Sequence, residues 1–179
     1  MVNRVRTTTG GVLCAILLAA SAACTPALNW REVRLDGSGL EAMFPCRPDR
    51  HERHVTLAGV SASMQMHVCE AAGLTFAVSL VDVDAPDRVS RAMVELRALA
   101  VSNIGATEST VAALQVSGMT PNPQAALLSA RGRPVGSERL GLRAAFFSKG
   151  LRIFQATVIG AAPTEEAMQP FFAGLRVPA

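Results

Sequence analysis

The stretch Val60 to Val83, VSASMQMHVCEAAGLTFAVSLVDV, decides the fold class. Its first half alternates, with Val60, Ala62, Met64, Met66 and Val68 on one side and Ser61, Ser63, Gln65, His67 and Cys69 on the other. A period of two is the pattern of a strand with one buried face. Ala71-Ala72-Gly73 is a hairpin link, so the second half returns antiparallel to the first. There Leu74, Phe76, Val78 and Leu80 make one apolar face, while Ala77, Val81 and Val83 make the other face apolar too. A strand apolar on both sides is covered on both sides, so the sheet needs a layer above it and a layer below it.

Directly after this hairpin the period changes. Asp84-Ala85-Pro86-Asp87 supplies cap and first-turn residues. Val89, Met93, Leu96 and Leu99 then follow at helical spacing, with Arg88, Arg91, Glu95 and Arg97 largely opposite them. This predicts a helix over about 87–103, stopped by Gly105. Upstream, strands are expected at Trp30–Leu35 and Leu40–Phe44 around the Asp36-Gly37-Ser38-Gly39 turn, then a loop from Arg47 to Arg53 and a strand over His54–Leu57. Downstream come a less patterned segment at Thr110–Val116, a strand at Ala125–Ala130 ended by Arg131-Gly132-Arg133-Pro134, and a hairpin around Lys149-Gly150. Thr164 reads as the cap of a last helix carrying Phe171, Phe172 and Leu175, with Pro170 expected to kink or restart it. The fold class that follows is α+β: an antiparallel sheet of about six to eight strands with helices packed on its faces.

The first residues read differently. Arg4 and Arg6 form a positive start, Val12–Ala20 is apolar, and Ser21-Ala22-Ala23 precedes Cys24. That is the layout of a secretory signal peptide over residues 1–23. The apolar run is shorter than the ~20 residues that span a bilayer. Ser21-Ala22-Ala23-Cys24 also resembles a bacterial lipobox, with Ser21 standing where an aliphatic residue is usual. The resemblance implies that Cys24 is lipidated and becomes the first residue of the mature chain. Thr25, in place of Asp, implies the outer membrane. Residues 24–29 are then a tether, and residues 30–179 form a single globular domain.

Composition narrows the function classes. With the leader gone, two arginines leave and no acid does, so the net charge falls from +3 to +1. Basic residues are dispersed and aromatics few, which excludes a nucleic-acid surface. Cys14 leaves with the leader, so Cys46 and Cys69 remain as a pair in an oxidising compartment, where a disulfide is the natural reading. The other reading keeps both thiols reduced and joins them to His51, His54 and His67, soft and borderline ligands suited to zinc or copper. The disulfide is preferred, because exported thiol pairs oxidise.

Further residues carry a resemblance. A strand ending in Phe44-Pro45-Cys46-Arg47-Pro48 is followed by a strand with Met66 and Cys69 at its end. Phe147 to Gly150 leads into Ile153-Phe154-Gln155-Ala156 and Val158, and the chain closes on Phe171-Phe172-x-Gly174-Leu175. Together they resemble uncharacterised proteobacterial exported lipoproteins with a PsbP-like α/β/α sandwich, over nearly all of residues 30–177. The resemblance implies an architecture and brings no catalytic residue with it.

Catalytic signatures are missing from the sequence: no G-x-S-x-G elbow, no H-E-x-x-H, no phosphate-binding glycine loop and no C-x-x-C. Asp82, Asp84, Glu165 and Glu166 read as acids that cap helix starts, Ser38 as a hairpin tip, and the methionines as core filler. The sequence therefore points to a non-enzymatic, lipid-anchored envelope protein facing the periplasm. It would act as a binding or accessory module for another envelope component, with no cofactor and no nucleic acid. The alternative is a periplasmic metal-binding protein built on the Cys/His cluster.

Overall fold

Two sheets and two helices make up the residues that the computed structural model describes, 27–135 and 138–178. The leader and Cys24 lie outside the described residues. In chain order the elements are β1 (Arg31–Leu35), β2 (Leu40–Phe44), β3 (Asp49–Leu57), β4 (Val60–Ala71), β5 (Leu74–Asp82), α1 (Pro86–Asn103), β6 (Glu108–Ala113), β7 (Ala126–Val135), β8 (Glu138–Lys149), β9 (Arg152–Gly160) and α2 (Glu165–Ala173). The large sheet is antiparallel throughout, in the order β3-β4-β5-β9-β8-β7-β6, and β1 and β2 form a separate hairpin. The fold is an α+β sandwich, as the period-two and period-3.6 patterns require.

The central strands explain the layering. On β5, Leu74, Phe76, Val78 and Leu80 join one buried cluster, and Val81 joins the other. The first cluster is closed by the β1–β2 hairpin and α2 through Phe44 and Phe171, the second by α1 through Val89, Met93 and Leu96. Phe171 meets Phe44, Phe76 and Phe172 edge to face, with ring centroids 5.3 to 5.5 Å apart. Burying one such side chain stabilises the fold by about 1.5–3 kcal/mol, and the edge-to-face geometry adds to that.

Four local expectations change. β3 begins at Asp49, not His54. It is an edge strand, exposed on both faces from Asp49 to His54, so its residues carry no apolar period; its pairing with β4 alone defines it. β7 continues through Arg131–Pro134 by a register shift between those residues. The shift accommodates a proline that lacks a ladder donor. Gly132 is required there, because a Cβ would lie 2.4 Å from the carbonyl oxygen of Ile104. Helix α1 is capped by neither Asp82 nor Asp84: its cap is Ala85, with no side-chain bond. Pro86 at the first helical position sets that start by holding the residue before it extended. Finally, α2 runs through Pro170 as one helix, from the Thr164 cap, whose Oγ1 accepts from the Ala167 N–H at 3.2 Å. Proline removes a single N–H there, and the burial of Phe171 holds the turn that follows.

The β1–β2 hairpin is fastened at both ends. Arg152, at the start of β9, bonds Asp82 through two nitrogens (2.7 and 2.6 Å) and the Gly37 carbonyl at 2.5 Å. Near the hairpin's other end, Leu28 and Trp30 pack on the core and the Asn29 N–H donates to the Pro45 carbonyl at 2.9 Å. The docked chain thus reaches back into the stretch read as tether. The segment after α2 completes the layer: Glu41 and Arg176 exchange backbone bonds of 2.9 and 3.0 Å, and their side chains pair at 2.5 Å.

Candidate functional site

Cys46 and Cys69 stand at disulfide distance, with Cα atoms 5.9 Å apart. Pro45 ends β2, and Cys46 follows at the point where the hairpin layer passes over β4. Cys69 lies on the β4 face that this layer covers. The bridge therefore ties one layer to the other.

The same face of β4 carries His67, two residues earlier. The alternation read from sequence assigned this face to solvent and the Met64–Met66–Val68 face to the core. The structure places only Met64 of those three fully inside, beneath α1. Toward its far end β4 runs out from under α1 and beneath the hairpin instead, so His67 and Cys69 become its buried residues, 6% and 4% exposed.

His67 sits in the wall of a concavity of about 500 Å³ between β1, the Arg47–Pro48 turn and the start of β3. Four arginines line it (Arg31, Arg34, Arg47 and Arg50), together with the acids Asp36 and Asp49. Register explains the meeting: Arg50 is directly opposite His67 across the β3–β4 ladder, so the two side chains share a face. The imidazole is held below its ordinary pKa, first by burial and then by the positive charge of Arg50, with Asp36 acting in the opposite sense. Its Nε2 is buried and has no hydrogen-bond partner. Arg34 reaches Glu41 at 2.7 Å, whereas Arg50 comes no closer than 4.0 Å to Glu52.

The other histidines are not brought to this place. His51 lies opposite Met66, on the far face of the ladder, and His54 lies opposite Ser63, well along the strand; both are exposed. With both sulfurs in the bridge, no thiolate is left to complete a metal site. Among the described residues no group of three His, Cys, Asp or Glu side chains converges to hold a metal ion. Asp82 is paired with Arg152 and Asp84 with Arg88 at 3.3 Å, so both acids serve ion pairs. Glu165 pairs with Arg143, whose guanidinium also stands over the Phe172 ring at 5.5 Å. Ser38 is a turn residue: its buried Oγ donates to the Leu35 carbonyl at 2.6 Å and accepts from the Leu40 N–H at 2.9 Å.

Sequence reasoning missed Glu41, which is 5% exposed yet charged. Arg176, its first hydrogen-bond partner, holds its carboxyl below the usual range against the opposing effect of burial, and Arg34 adds to that. It also missed the arginine lining, because Arg47–Arg53 was read as a polar, charged loop ahead of the strand. A second concavity of about 620 Å³ lies near the other edge of the sheet, with Arg131, Arg139 and Arg143 among its walls. No helix among the described residues is long and apolar enough to cross a membrane.

Comparison with known proteins adds little to this geometry. No family model matches the chain, and no curated protein does. Among solved structures, a Pseudomonas aeruginosa protein of unknown function is similar at 16% identity, over 79% of this chain and 89% of that one, with a TM-score of 0.33. At that level neither fold nor function carries over.

Proposed function

We propose that this chain is an exported, lipid-anchored envelope protein that faces the periplasm and works as a binding or accessory module. The observation that carries the reading is Cys24 standing directly after Ser21-Ala22-Ala23 at the end of an apolar, positively started leader. A cysteine so placed takes a diacylglycerol, and its acyl chains contribute ~0.8 kcal/mol per buried CH₂, enough for a stable anchor once more than one chain is present. The Cys46–Cys69 pair at bonding distance supports the same compartment, since such bridges persist where thiols oxidise. Membership among exported lipoproteins with a PsbP-like fold belongs to this proposal as well. The domain contributes an arginine-lined concavity, which supports a binding role.

Metabolic labelling with palmitate tests the anchor. Label should enter the native protein and be lost from Cys24→Ser; label persisting in the variant would defeat the reading. Mass spectrometry of the mature protein without reductant should show the mass of residues 24–179 plus lipid, less two hydrogens for the bridge.

A further inference from the structure

We propose that the groove between β1, the Arg47–Pro48 turn and the start of β3 binds a phosphate group. Four arginines and two acids line it. Arg34 is occupied by Glu41, but Arg50 lies 4.0 Å from its nearest acid, and Arg47 has no ion pair among the described residues. Guanidinium forks match pairs of phosphate oxygens. The lining residues come from β1, from the turn, from β3 and from β4, so a ligand there is bordered by several elements. A tetrahedral phosphate presents oxygens in several directions, whereas a carboxylate presents two in one plane.

His67 is the second, independent observation. A ring nitrogen buried without a partner is costly unless something completes it. His67 lines the groove and shares its face with Arg50, which sets this unpartnered imidazole beside the arginines. The bridge fixes the geometry: Cys46 is next to Arg47, and Cys69 is two residues from His67 on the same face. Donors held this way lose little freedom on binding. The volume of about 500 Å³ exceeds a bare phosphate, so a phosphate ester fits.

Two sources carry such a phosphate: a soluble compound and a lipid headgroup. The headgroup source rests on the anchor proposed above: Arg31 follows Cys24 by seven residues, a reach of at most about 25 Å from the bilayer. The soluble source does not depend on it.

The test uses the mature chain, residues 24–179, carrying Cys24→Ser, so that neither leader nor acyl chain contributes. It is titrated with inorganic phosphate by calorimetry, and separately floated with phosphatidylcholine vesicles with and without phosphatidylglycerol. Saturable binding to at least one probe is expected, weakened about tenfold by Arg50→Ala and by His67→Gln. Arg91→Ala, which removes the same charge from the exposed side of α1, should leave affinity within about twofold. Phosphate alone would identify a soluble source, and vesicles alone a headgroup. Binding of neither probe, or an equal loss in Arg91→Ala, overturns the site. Arg47→Ala and Arg50→Ala change exposed positions, so the test stands even where His67→Gln fails to fold. Failure of the anchor would appear only in the palmitate experiment.

Discussion

Removing the bridge between the hairpin layer and the sheet should cost this domain a large fraction of its stability. Cys46 and Cys69 are separated by 23 positions, so the bridge closes a loop of 24 residues counting both. In the chain-entropy description such a loop stabilises the folded state by about 3.4 kcal/mol at 25 °C. For a domain of this size that corresponds to a fall in Tm of roughly 10 °C. The perturbation is Cys46→Ala with Cys69→Ala, compared with the native protein with and without reductant. Melting followed by circular dichroism gives the shift, and hydrogen exchange gives its location. Protection should be lost first at 46–48 and at the end of β4, because there the bridge ties the chain beyond the last β3–β4 pair, Asp49 with Val68. Reduced and oxidised proteins melting within about 2 °C of each other would refute this reasoning, as would two titratable free thiols in protein isolated from cells without reductant.

Other outcomes follow from single contacts. Phe171→Ala should destabilise by about 3–5 kcal/mol in urea unfolding, because Phe171 is fully buried against Phe44 and Phe76 and anchors α2; a loss under 1 kcal/mol would mean that α2 is not docked there. Ala72 holds a positive φ of 52° in an exposed hairpin turn, so Ala72→Asn should raise stability by about 0.5–1 kcal/mol, measured by the urea midpoint. His67 has a folded pKa below its ordinary 6.5, so between those two values the unfolded chain takes up a proton that the folded domain refuses. Stability should accordingly fall as pH drops below about 6.5 and level off beneath the depressed value, and His67→Gln should remove that slope from the pH–stability curve.

The elements with one dry face were legible in the chain. β5 and β9 announce themselves by alternating large apolar residues, and α1 by Val89, Met93 and Leu96, because burial imposes a period. β3 carries no such mark. An edge strand wet on both faces obeys only its backbone pairing, which the side chains of Asp49–His54 do not record. The site was half legible for the same reason. His67 and Cys69 were singled out by residue type, yet the face they share was assigned to water because small and polar residues fill it. The one available hint was the cysteine itself: a bridge to Cys46 needs a second layer over that face. Arg152, Glu41 and Arg176 left no trace, since pairs separated by 70 and 135 positions have no local spacing.

The fastening of the hairpin bears on the order of assembly. The strands made first, β1 and β2, are held down by α2 and by Arg176, which are made after every other element; β5, at mid-chain, waits for β9. A nascent polypeptide emerging from the ribosome therefore cannot lock its opening segment until synthesis is nearly done. That delay is compatible with the proposed export, in which the chain would be threaded unfolded.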